Sequence, residues 1–189
     1  MNLTRRAVID KVFKSSVLCL SFSVAGTTLL LTPEQARAQK VPMRKLSAAQ
    51  VKTLEALAET MVPGSVALGV AHFVDHQINS EPGDCLLIAK YLQAPVPYAD
   101  FYANGLKVAD GMAQKIAGKP LSGLDGEALE RVVREMSKGG AAVDGFPIFL
   151  FYMCLRSDAV DVVYGTPAGF AKLNIPYMEH VKPPEGWNV

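Results

Sequence analysis

Phe146-Pro147-Ile148-Phe149-Leu150-Phe151-Tyr152-Met153-Cys154-Leu155 is apolar on every face of a helix. A bilayer-spanning helix needs about 20 such residues, so this run is too short to cross a membrane. It belongs instead in a protein core, with neighbours on all sides. Pro147 suits the first turn, where its missing N–H is not needed. After Arg156 the character changes, through Ser157-Asp158-Ala159-Val160-Asp161-Val162-Val163-Tyr164-Gly165-Thr166-Pro167-Ala168-Gly169-Phe170 to Ile175-Pro176-Tyr177 and Pro183-Pro184-Glu185-Gly186-Trp187. Proline fixes φ and glycine frees it, so an irregular tail over a surface is expected. Its aromatic residues either cover the domain's own core or face a partner. The candidates for partner contact are Tyr164, Gly165, Phe170, Tyr177 and Trp187.

Upstream the apolar period is helical. Ser47-Ala48-Ala49-Gln50 reads as a capping box, followed by Val51, Leu54, Leu57, Ala58 and Met61 at helical spacing and stopped by Pro63-Gly64. Gly69 to Ile78 is a second helix, and Cys85 to Leu92 supplies one or two turns before Ala94-Pro95-Val96-Pro97. Tyr98 to Ala117 is the clearest helix, with Phe101, Tyr102, Leu106, Ala109, Met112, Ala113 and Ile116 on one face and Gly118 as its stop. Asp125 to Lys138 repeats the pattern through Leu129, Val132, Val133 and Met136. The expected fold is all-α, about five or six helices with the apolar one central and no strand anywhere.

The N-terminus reads as an export signal rather than as part of that fold. Thr4-Arg5-Arg6-Ala7-Val8-Ile9-Asp10-Lys11 is a charged leader, Val17 to Leu31 a mildly apolar stretch, and Ala36-Arg37-Ala38 a small-residue cleavage site before Gln39. Residues 1–38 are therefore expected to be the signal, and residues 39–189 one domain. The pair Arg5-Arg6 points to the twin-arginine route, which carries proteins already folded. An ordinary secretory signal and an uncleaved anchor are the alternatives.

Composition is that of a globular protein: 189 residues, 50% hydrophobic, 20% charged, net charge +1. No basic stripe interleaves with aromatics, which sets nucleic acid aside. The chain carries no glycine-rich dinucleotide fingerprint, no C-x-x-C-H for haem c and no G-x-S-x-G, so no cofactor or catalytic serine is expected in it. One constellation carries an enzyme alternative. His72-Phe73-Val74-Asp75-His76 places two imidazoles and a carboxylate on one helical face, a spacing that can bind zinc, against the plainer reading of a polar helix face. Cys85 and Cys154 can pair with each other, stay as buried apolar residues, or cross-link to a partner.

Taken in order, Leu46-Ser47-Ala48-Ala49-Gln50, Leu54-Glu55-Ala56-Leu57-Ala58-Glu59, Met61-Val62-Pro63-Gly64, the helix Val70 to Ile78, Asp161-Val162-Val163-Tyr164-Gly165, Ile175-Pro176 and Gly186-Trp187 resemble the small (gamma, or subunit 3) components of membrane-associated gluconate 2-dehydrogenase and related flavin-dependent sugar and alcohol dehydrogenases. No one of these motifs is sharp; their order and spacing carry the resemblance. It implies a non-catalytic subunit beside a large FAD-containing flavoprotein of the glucose-methanol-choline type, with a multihaem cytochrome c subunit taking the electrons. It also implies a role in folding and export of the flavoprotein, a periplasmic location, and membrane association through partners. The substrate would then be read by another polypeptide.

Overall fold

A computed structural model describes residues 18–24, 26–138 and 143–174. Its class is all-α, as expected. The described residues form a two-stranded hairpin, β1 (Leu20–Val24) and β2 (Thr27–Leu31), and eight α-helices. The helices are α1 (Pro33–Ala38), α2 (Ala48–Met61), α3 (Val70–Ile78), α4 (Ile88–Tyr91), α5 (Tyr98–Ala117), α6 (Gly126–Ser137), α7 (Ile148–Tyr164) and α8 (Pro167–Lys172).

Local chemistry sets the boundaries. The Ser47 amide donates to Gln50 Oε1 at 2.8 Å and the Gln50 amide to Ser47 Oγ at 3.3 Å, the reciprocal box that starts α2. At its end, the Glu59 carboxylate accepts from the Gly64 and Val66 amides at 2.8 and 3.0 Å and shapes the turn toward α3. Gly118, at φ +67°, ends α5 in the left-handed conformation that favours glycine. Asp110 on α5 then accepts the Leu121 amide at 2.7 Å and fixes the short 3-10 turn Leu121–Gly123.

The apolar helix is central. α7 packs against α2, α3, α4, α5, α6 and α8 and buries Ile148, Phe151, Cys154, Leu155, Ala159, Val162 and Val163. Its contact with α5 is tight. A Cβ on Gly105 would lie 2.4 Å from the Phe151 ring, so glycine is what lets the two helices meet there. Phe101, Tyr102, Phe146 and Phe151 cluster around this contact, edge-to-face except for the tilted Phe101–Phe146 pair.

Three expectations need correction. α7 runs to Tyr164 instead of stopping near Arg156, because Leu155, Ala159, Val162 and Val163 continue its buried face between the polar residues. The next stretch is not irregular either: Thr166 Oγ1 accepts the Gly169 amide at 3.1 Å and caps α8. The region from Leu20 to Ala38, expected to lie outside the fold, packs into it. Leu20 and Phe22 alternate with exposed Ser21 and Ser23 along β1, and Leu20, Phe22, Leu31 and Ala36 join the core. α1 has its own capping box between Thr32 and Gln35, both bonds 3.1 Å.

Gly105→Ala should destabilise the domain. Alanine gains about 1 kcal/mol of helix propensity, but the overlap with Phe151 costs about 1–3 kcal/mol as overpacking. Chemical denaturation should show a net loss that Phe151→Leu partly restores in the double variant; a more stable Gly105→Ala would show that the α5–α7 contact is looser than described.

Candidate functional site

The three residues that spacing alone offered to a metal share a face of α3 but bond in different directions. Asp75 Oδ1 accepts the Lys45 and Leu46 amides, each at 2.8 Å, and Oδ2 accepts the Arg44 amide at 2.7 Å. His72 Nε2 donates to the Val41 carbonyl at 3.2 Å. His76 Nε2 donates to the Ser21 carbonyl at 3.1 Å, with the Phe22 ring edge-on at 5.2 Å. This corrects the zinc alternative: among the described residues no group of His, Cys, Asp or Glu is arranged to hold a metal. Both Asp75 oxygens are committed to main-chain donors, so the triplet tethers backbone. His72 and Asp75 hold the arm that leads into α2, and His76 holds the hairpin.

Burial lowers the pKa of both histidines, against the opposing pull of the Val41 and Ser21 carbonyls and of Asp75. Each is thus kept neutral in the fold. The unfolded chain binds protons first as pH falls below the ordinary histidine value, so this anchoring is complete at neutral pH and lost toward acid.

A cleft of about 300 Å³ lies between the segment before α2 and the end of α7 with α8, lined by none of the tail candidates themselves. Leu18, Pro33, Leu68, Val162, Val163 and Gly169 give it apolar walls, with Glu34, Asp161 and Lys172 also lining it. Tyr164 is half-buried against the core, Gly165 exposed, and Phe170 half-buried. Tyr177 and Trp187 lie outside the described residues, as do Arg5 and Arg6. Ala36 is buried in α1, while Ala38 is exposed at its end. Cys85 and Cys154 are both buried free thiols. Burial, helped by Asp158, pushes the Cys154 thiol up to about 12, which suppresses the thiolate that disulfide exchange requires. Cys85 Sγ donates to the Pro82 carbonyl at 3.4 Å.

Two features had no signal in the linear pattern. Asp158 is wholly buried on α7 and accepts a short hydrogen bond from the Tyr102 hydroxyl of α5. Burial raises its pKa to about 7; the Tyr102 bond lowers it only partly. The Ile88 amide also favours the charged form, but Oδ1 lacks a partner at hydrogen-bonding geometry. The second feature is a set of exposed apolar side chains around α4: Leu86 (51%), Tyr91 (71%), Leu92 (41%) and Val96 (62%). Four such side chains fall within eleven consecutive residues, a local concentration of exposed apolar surface.

Two variants test this layout. Asp75→Ala leaves three main-chain donors without their acceptor and should cost about 3 kcal/mol or more by chemical denaturation; an unchanged midpoint would mean that the arm is held elsewhere. Asp158 titrates in the opposite sense to the histidines. From the ordinary value of 3.8 up to about 7, the native state keeps a proton that the unfolded chain has released. Its stabilisation is therefore full at acid pH and lost as pH rises through that window. Asp158→Asn keeps an acceptor for Tyr102 without the charge, so its stability relative to the parent should climb between pH 4 and pH 7 and then level off; a constant difference would rule out a buried titrating carboxyl.

The family profile described as gluconate 2-dehydrogenase subunit 3 matches residues 48–182. No curated protein and no solved structure matches the chain. The matched span opens on the first residue of α2, includes every later helix described above, and takes in well over half of the sequence. The chain belongs to the gluconate 2-dehydrogenase subunit 3 family.

Proposed function

We propose that the chain is the non-catalytic small subunit of a periplasmic, membrane-associated, FAD-dependent sugar or alcohol dehydrogenase of the gluconate 2-dehydrogenase type. The observation that carries this reading is the family match over residues 48–182. In it, FAD sits in a large catalytic subunit of the glucose-methanol-choline type and haem c in a cytochrome subunit. This chain supports the folding of the flavoprotein and carries it through the twin-arginine route.

Physical features support the assignment. The polar groups of α3 that would be a metal enzyme's first resource are spent on backbone carbonyls and amides. The exposed apolar patch at Leu86, Tyr91, Leu92 and Val96 offers a surface for a protein partner. A chain that binds only the folded flavoprotein stabilises that state by mass action. No helix among the described residues is long and apolar enough to cross a membrane; we assign membrane association to the cytochrome partner.

Co-expression with the large subunit tests the proposal. Replacing both Arg5 and Arg6 by Lys should leave both proteins in the cytoplasm, and Trp187→Ala should reduce recovery of the complex more than it lowers the melting temperature of the free chain. Active flavoprotein in the periplasm of cells lacking this chain would overturn the accessory role.

A further inference from the structure

Ala36 and Ala38, the small side chains that mark the expected cut before Gln39, are not equivalent in the fold. A signal peptidase recognises two such side chains one residue apart, and both must reach it. Ala38 is exposed, but Ala36 has no exposed surface. The Ala36 amide donates to the Thr32 carbonyl and its carbonyl accepts the Val41 amide, both at 2.9 Å. The Gln39 amide donates to the Gln35 carbonyl, also at 2.9 Å. The bond between residues 38 and 39 thus lies within a hydrogen-bonded turn, which has to unfold before it can be cut. Enclosure of Ala36 also supplies a packing reason for a small residue at that position, independent of any cleavage motif.

That turn is tied to the rest of the domain on both sides. Upstream, Leu20, Phe22, Leu31 and Ala36 belong to the same core cluster as the buried residues of α2, α3, α5 and α7, and His76 donates to the Ser21 carbonyl with the Phe22 ring edge-on to it. α1 packs on α3, and its Pro33 carbonyl oxygen lies where a Cβ on Gly69 would come within 2.2 Å, so the chain enters α3 at φ +84° through a glycine fitted to this contact. Downstream, Val41 is the joint. Its amide donates to Ala36, and its carbonyl accepts from His72 Nε2 at 3.2 Å. Loss of residues 18–38 would strip four apolar side chains from the core and leave the Val41 amide and His76 Nε2 without their partners, each a cost to the fold.

We propose that residues 18–38 are a permanent part of the working domain and that Ala36-Arg37-Ala38 is not a processing site. The buried Ala36 and the bonds that tie it to Thr32 and Val41 keep the chain uncut there, so the functional protein retains its N-terminal hairpin and α1. Its folded domain begins by Leu18, not at Gln39. The pair Arg5-Arg6 lies ahead of that boundary, and the family match begins behind it, at residue 48. The retained segment is therefore an addition in front of the matched span, and its retention does not depend on which partner the chain serves.

Intact mass and N-terminal sequencing of the chain purified from the cells that make it test the proposal, beside an Ala38→Gln variant. Glutamine at this exposed position removes the small-residue motif without touching the core. Parent and variant should both contain residues 18–38 and differ in mass by the one substitution. A folded parent that begins at Gln39 would overturn the proposal. Hydrogen exchange of the purified full-length chain decides the packing separately, whether or not the chain is exported. The amides of β2 and those of residues 35, 36, 39 and 41 should exchange about a hundredfold or more slower than in free peptide. Phe22→Asp should speed exchange by about tenfold or more in α3 and at Leu46 as well as in the hairpin. If Phe22→Asp does not fold, His76→Ala should show the same spread with a smaller effect. Free exchange of residues 20–38 in the parent, or an effect of these substitutions confined to those residues, would show that the segment is separable and would overturn the proposal.

Discussion

A helix apolar on nearly every face needs neighbours on most of them, and α7, which leaves only Phe149, Arg156 and Asp161 exposed, imposes that constraint on the rest of this chain. Six other helices contact it, one of them through a glycine that lets Phe151 lie against the α5 backbone. The single carboxyl on its buried face, Asp158, survives there because Tyr102 donates to it and because burial keeps it protonated into the neutral range. The remaining helices can be understood as the enclosure: α2, α5 and α6 each present an apolar stripe inward, and the short elements close the ends.

What the sequence showed depended on whether the signal was local. Ser47 with Gln50, the α5 stripe and the Gly118 stop are chemistry within a few residues of each other, and they placed α2 and α5 closely. Long-range partners left no such trace. Asp158 is separated from Tyr102 by 56 positions, and an aspartate flanked by Ser157 and Asp161 reads as the end of a buried helix when it is in fact within one. The α3 triplet illustrates the same limit: spacing established that His72, Asp75 and His76 share a face, but only the fold shows that the arm and the hairpin supply what they bond. The hairpin itself was hidden by a competing reading, since the mildly apolar composition of Leu20 to Leu31 serves an export signal as well as it serves a pair of strands.

Placement in the gluconate 2-dehydrogenase subunit 3 family rests on residues 48–182, which include α2 to α8 but none of the structure before them. The part of the molecule that is general to the family and the part that precedes it meet on α3. That helix is short, only nine residues, and nearly every one of its side chains is buried. Its two histidines and its aspartate give it contacts on both sides of the expected processing site, which is an unusual concentration of tethers for an element of two and a half turns.

The opposed titrations in this fold have a joint consequence. His72 and His76 stabilise the native state less as acidity increases, while Asp158 stabilises it more. Across the mildly acidic range these contributions run against each other. The two sets also lie in different places, the histidines under the N-terminal segment and the aspartate deep between α5 and α7. Acidification therefore redistributes stability within the domain, loosening the outer wrapping while tightening the centre.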